Sequence, residues 1–198
     1  MIYEDRIKAL EEQHGVKIEI LSSYDVENPR NFGQDSVLVT ALNRHHIIGD
    51  NCRDAELPEG CASMEDAFRQ HLKENKLGIN NVIYLPVYAY IHSGITIATT
   101  PYSCRFDSGQ AGYIYLTKKD ARERLGVKKL SKENKDTIYK QLVEEVALLD
   151  SYICDEVFTF TIDGEYPDEA GEFYGSDLDK SGLFKSLEEA LSKLPTPA

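Results

Sequence analysis

The 24 residues from His92 to Tyr115, HSGITIATTPYSCRFDSGQAGYIY, hold the densest set of chemically capable side chains in the chain. A cysteine nucleophile needs a base within hydrogen-bond reach and a third group to orient that base. Cys104, His92 and Asp107 are the right residue types, and Ser108 and Gln110 add hydrogen-bonding groups for a ligand or an oxyanion. A small hydrolase or transferase with a Cys104/His92 site is one expectation from this set. Turn chemistry accounts for the same residues. His92-Ser93-Gly94 suits a hairpin connection, Asp107-Ser108-Gly109 suits a turn, and Cys104 is then a plain thiol.

Charge supplies a second candidate. From Glu144 to Asp179 there are twelve acids and no Lys or Arg, whereas the remainder of the chain holds 22 acids and 22 bases. The formal charge of −12 thus falls on one contiguous segment. Such a field repels nucleic-acid phosphate, so direct nucleic-acid binding through it is not expected, and a protein with a basic surface is the expected partner. Asp163, Glu165, Asp168 and Glu169 are its candidate binding residues. A solvated face that serves solubility is the alternative.

The cluster NRHHIIGDNC brings His45, His46, Asp50 and Cys52 close in sequence. All four are metal-ligand types, but adjacent side chains on an extended chain point to opposite faces, so His45 and His46 do not suit one ion. Four scattered cysteines with no C-x-x-C predict free, mostly buried thiols and a reducing compartment. No metal and no cofactor is expected. Neither a P-loop, nor G-x-G-x-x-G after a strand, nor H-E-x-x-H, nor G-x-S-x-G occurs, and no basic stripe with interleaved aromatics stands out. No apolar run is long enough to cross a bilayer and no secretory leader is visible, which together predict a cytoplasmic protein without membrane partners.

The elements that would position these residues follow from period and punctuation. Ile2–His14 reads as a helix stopped by Gly15, and Val16–Leu21 and Ser36–Leu42 read as strands. Ser63-x-x-Asp66 starts a helix to about Glu74. Val82–Ile91 is a strand in which Pro86 demands an edge or a bulge, and Tyr84, Tyr88 and Tyr90 share one of its faces. GITIATT and GYIYLT are strands flanking a loop from Pro101 to Ala111. Thr117 and Asp120 cap a helix ending at Gly126. A longer one from Ser131 buries Ile138, Leu142, Val146, Leu149 and Ile153, and EVFTFTID and Leu183–Leu194 complete the set. Strands and helices without βαβ alternation predict an α+β fold, a mixed, largely antiparallel sheet with helices packed on it. Length predicts a single domain over 1–198, with 155–198 as a candidate acidic subregion.

HSGITIATTPYSC followed by DSGQAGYIYLTK resembles the signature HSG-x-T-x-x-TTP-(F/Y)-SC-x-x-DSGQ-x-G-(F/Y)-IY of an uncharacterised family encoded by bacterial phages and mobile elements. The resemblance extends to Asn28-Pro29-Arg30, to the element from His45 to Asp50, and to the stretch from Glu145 to Asp163. Arg105-Phe106 stands where the family pattern has Pro-Trp, and Phe173-Tyr174-Gly175 lacks its Cys-Trp. No catalytic residues carry over. The resemblance implies an accessory protein of a mobile element working inside a bacterial host cell, and with the acidic segment it leads to the expectation that the protein binds a host protein. An anti-CRISPR or antirestriction inhibitor of a nucleic-acid enzyme is the expected form.

Overall fold

The computed structural model describes residues 3–42, 48–53 and 57–194, with the side chains of 51–53 left aside. Thirteen regular elements follow in chain order. They are α1 (Glu4–His14), β1 (Ile18–Ser22), β2 (Val37–Ala41), β3 (Asn51–Arg53), α2 (Met64–Glu74), β4 (Val82–Ile91), β5 (Ile95–Ala98), β6 (Ser108–Thr117), α3 (Lys118–Leu125), α4 (Lys132–Ile153), β7 (Val157–Ile162), β8 (Phe173–Tyr174) and α5 (Leu183–Ser192). Two short 3₁₀ turns sit at Pro29–Asn31 and Ile79–Asn81. The fold is α+β, as the absence of βαβ alternation predicts.

The chain divides into two compact units. Unit 1 joins the first 27 residues to Ser151–Ala198, and unit 2 is Asn28–Asp150. The last residues of α4 thus belong to unit 1.

Unit 2 is built on a five-stranded sheet in the order β3-β2-β6-β4-β5, antiparallel except for the β2–β3 pair. Val39, Tyr113 and Tyr115 alternate onto one face, where Phe68 and Leu72 of α2 pack on them with Val82. Phe68 stacks on Tyr113 with ring centroids 4.4 Å apart. Leu38, Ile114 and Leu116 take the other face and are fully buried, as is the stripe Ile138, Leu142, Val146 and Leu149 of α4. The four-and-three spacing of that stripe is what the sequence predicts for a core-facing helix, although Ile153 is only half-buried.

Pro86 meets both conditions set for it. Only residues 88–91 of β4 pair with β5, so Pro86 lies where β4 has a neighbour on one side alone, and the register slips between Val87 and Tyr88. Gly112 in β6 allows an unusually close approach to β2. A Cβ built there would sit 2.0 Å from the Val39 carbonyl oxygen.

Unit 1 pairs β1 with β7 and β7 with β8, all antiparallel. Ile18, Phe160, Leu183, Phe184, Leu187 and Leu191 form its core, with Ile7 and Leu10 of α1 packed against it. Gly15 ends α1 in the left-handed region, at φ 67°. Asp163 and Gly164, at φ 51° and 83°, make the tight Asp-Gly turn by which β7 reverses, with Ile162 and Glu165 exchanging backbone hydrogen bonds.

Candidate functional site

The β4–β5 hairpin closes over three residues, with the His92 amide donating to the Gly94 carbonyl at 3.1 Å. β6 begins at Ser108, four residues earlier than its hydrophobic alternation suggests, and Ser108, Gly109 and Gln110 pair with Tyr90, Ala89 and Tyr88. The expected loop from Pro101 to Ala111 is therefore shorter. Cross-strand pairing recruits a polar segment that would not form a strand by its own propensity. The Ile91 amide donates to the Asp107 carbonyl at 2.7 Å, which pins Asp107 beside the end of β4 and hence beside His92.

The three candidate catalytic side chains do meet. Asp107 Oδ2 lies 3.6 Å from His92 Nδ1 and accepts from Cys104 Sγ at 3.5 Å. The order along this chain is thiol, carboxylate, imidazole. A nucleophilic cysteine with an oriented base uses thiol, imidazole, carboxylate. His92 is 68% exposed, and its ring lies against Tyr90, which packs in turn on Tyr102. The Ser108 hydroxyl donates to the Cys104 carbonyl and holds the turn, and the Gln110 amide group donates to the Gly112 carbonyl within β6 at 3.4 Å.

A cleft of about 450 Å³ opens beside this segment, bordered by Leu42, Ile91, Phe106, Asp107, Ser108 and Gln110. Neither His92 nor Cys104 is among the residues that line it. Phe106 is fully exposed at its rim. Tyr84 packs on Phe68 and Tyr113, while Tyr90 packs on His92 and Tyr102.

Asp50 is an ion-pair partner. Arg30 reaches it with two parallel hydrogen bonds, Nε to Oδ1 at 3.0 Å and Nη2 to Oδ2 at 2.6 Å. Arg30 also donates to Glu145 at 3.1 Å and to the Ser36 carbonyl at 2.6 Å. Arg124 approaches Glu145 from the other side at 2.9 Å, and the Leu38 amide donates to Asp50 at 2.8 Å. The Arg30 and Glu145 side chains are only 7% and 10% exposed. Burial pulls the guanidinium toward neutrality, but its hydrogen bonds and charge contacts with Asp50 and Glu145 outweigh that and hold its pKa above the ordinary value.

Arg30, Asp50 and Glu145 come from three separate segments of the chain, and the fold assembles them into one buried network. Asp150 plays a similar part, accepting from the Thr96 hydroxyl at 2.8 Å and the Ile97 amide at 2.7 Å. Single-residue reasoning misses these roles. Arg30 and Asp50 stand on either side of β2, and no motif spacing along the chain links them to each other or to Glu145.

His45 and His46 lie outside the described residues, as does the Cys52 side chain. Cys61, Cys104 and Cys154 are free, but half-buried or exposed rather than buried as expected. Thiol burial depends on tertiary context, and these three sit in a loop, a turn and a helix end. Among the described residues no group of three His, Cys, Asp or Glu side chains is disposed to hold a metal ion. No helix among them is long and apolar enough to cross a membrane.

The acidic segment also divides. Glu145 and Asp150 are turned into unit 2. Asp163 accepts from the Lys17 amide at 2.8 Å, and Glu169, 13% exposed, pairs with Lys193. The hydrogen bond from Lys193 holds the Glu169 pKa below the usual carboxylate value. Glu165 and Asp168 are exposed, with no side-chain partner among the described residues.

No protein-family model, curated protein or solved structure matches this chain.

Proposed function

We propose that the protein acts by binding, and that unit 1 presents an acidic surface to a basic surface of another protein. The observation that carries this reading is the distribution of charge between the units. Eighteen of the 34 acids and six of the 22 bases lie in unit 1, leaving sixteen of each in unit 2, so unit 1 carries the entire −12. A field of one sign on a small body steers association with the opposite sign and selects partners by charge. In the mobile-element setting that the resemblance implies, the partner is a host nucleic-acid enzyme, and the protein is an anti-CRISPR or antirestriction inhibitor in the bacterial cytoplasm.

The test uses residues that carry charge without shaping the turn. Glu165→Lys with Asp168→Lys reverses exposed charge, whereas Asp163 and Glu169 also serve the fold. Capture from a bacterial lysate by the parent protein should retain a basic nucleic-acid enzyme, sensitive to salt above about 0.1 M. The double variant should lose it. Retention of the same enzyme by the variant would refute the assignment to unit 1.

A hydrolase or transferase using Cys104 and His92 is the second reading, because the fold gathers both around Asp107. Alkylation of Cys104 at the rate of an unactivated thiol would remove it.

A further inference from the structure

Unit 2 is neutral in total but not evenly charged. Residues 118–140 hold nine of its sixteen bases and four of its acids. As plain sequence this run looks mixed. The structure shows which charges are committed elsewhere. Arg124 is drawn inward to Glu145, Lys118 donates to the Asn80 carbonyl at 2.6 Å, and Lys119 lies 3.7 Å from Glu123. Asp120 accepts from the Thr117 hydroxyl at 2.6 Å as part of the α3 cap. Six cations are left with no carboxylate partner among the described residues: Arg122, Lys128, Lys129, Lys132, Lys135 and Lys140. Besides Glu123, which faces Lys119, only Glu133 and Asp136 stand among them.

Two further features narrow the class of anion. Tyr139 and Val143, one turn apart on α4 and 39% and 43% exposed, offer apolar surface beside Lys135 and Lys140. At the start of α3 a cavity of about 490 Å³ is lined by Leu77, Asn81, Lys118, Lys119, Asp120 and Arg122. It has an apolar wall with cations around it. Polyanions with flat apolar parts suit both features, which points to nucleic acid: phosphates for the lysines, and bases for Tyr139 and the cavity.

We infer that α3 and the first half of α4 form a nucleic-acid-binding face, distinct from the acidic surface of unit 1. The run from Lys132 to Lys140 spans about 12 Å at 1.5 Å per residue, comparable with about four phosphates at 3.4 Å along one strand. Screening over roughly 10 Å at about 0.1 M salt lets a local basic face act in a protein of negative total charge.

The probe is a fluorescein-labelled oligonucleotide of about 20 nucleotides, single-stranded and as a duplex, read by anisotropy with the full chain at about 0.1 M salt. Binding should fall with salt, with a slope near −3 in log K against log salt if about four phosphates are contacted on a single strand. Lys128→Ala with Lys129→Ala and Lys132→Ala should weaken it at least tenfold and flatten that slope. Tyr139→Ala should weaken single-strand binding by roughly fivefold to a hundredfold and leave the duplex nearly unchanged. All these side chains are exposed, and circular dichroism will show that the variants remain folded. No anisotropy change with the parent chain, or a triple variant that binds as well as the parent, would overturn the inference. Competition by poly-L-glutamate as strong as by unlabelled oligonucleotide would also overturn it, in favour of an acidic protein partner. Glu165→Lys with Asp168→Lys should not reduce oligonucleotide binding, so failure here and failure of the unit 1 reading are separable.

Discussion

Replacement of Arg30 by methionine removes a group that bridges Asp50 and Glu145. Breaking a buried ion pair from one side leaves an uncompensated charge and costs about 3–5 kcal/mol. Three contacts survive the change, because Glu145 keeps Arg124 and the Ser36 hydroxyl and Asp50 keeps the Leu38 amide. The lower end, about 3 kcal/mol, is therefore expected. With a urea m-value of about 2 kcal/mol/M, the unfolding midpoint should fall by about 1.5 M, followed by circular dichroism. Arg30 is 7% exposed, so the loss should persist at high salt. Arg6, 38% exposed and paired with Asp179 and Glu188, supplies the contrast, since Arg6→Met should cost at most about 1 kcal/mol, and less in salt. A cycle with Glu145→Gln should show coupling above about 1 kcal/mol. A midpoint shift below about 0.5 M for Arg30→Met, or additivity in the cycle, would refute the claim that this network holds unit 2 together.

Gly112→Ala places a Cβ against the Val39 carbonyl, 2.0 Å from its oxygen, and forces β2 away from β6. The expected loss is about 3 kcal/mol or outright failure to fold, visible as reduced soluble yield and a lower thermal midpoint. Asp150→Ala strands the Ile97 amide on β5, leaves the Thr96 hydroxyl with Tyr102, and should cost about 1–3 kcal/mol. Faster hydrogen exchange should then be confined to the β4–β5 hairpin. Burial first, and the negative charge of Asp50 second, push the Tyr115 phenol above its ordinary pKa. Because the unfolded phenol ionises near pH 10 while the folded one does not, stability should be full below that pH and decline above it. Tyr115→Phe should flatten the alkaline decline in denaturation midpoints measured from pH 8 to 11, and an unchanged slope would count against Tyr115 as its source.

Much of the local structure was legible from the residues themselves. Ser63 and Thr117 cap α2 and α3 by accepting from Asp66 and Asp120, and Gly15 and Gly126 end α1 and α3 in the left-handed region. The α4 stripe and the position of Pro86 relative to a sheet edge were equally predictable. All of these depend on neighbours within a few residues, where backbone sterics and hydrogen-bond periodicity decide the outcome.

What lay beyond the sequence was set by contacts far apart along it. The polar start of β6 becomes strand only because β4 pairs with it. Arg30 and Glu145, 115 residues apart, meet only once the fold has closed. Charge gives the clearest case. Along the chain it looks like one acidic stretch after Glu144, but β1 pairing with β7 brings the N-terminal segment into the same unit, while Glu145 and Asp150 are spent inside the other. Composition determines that the protein is acidic. Long-range strand pairing determines that one unit carries all of that charge and that the other is neutral.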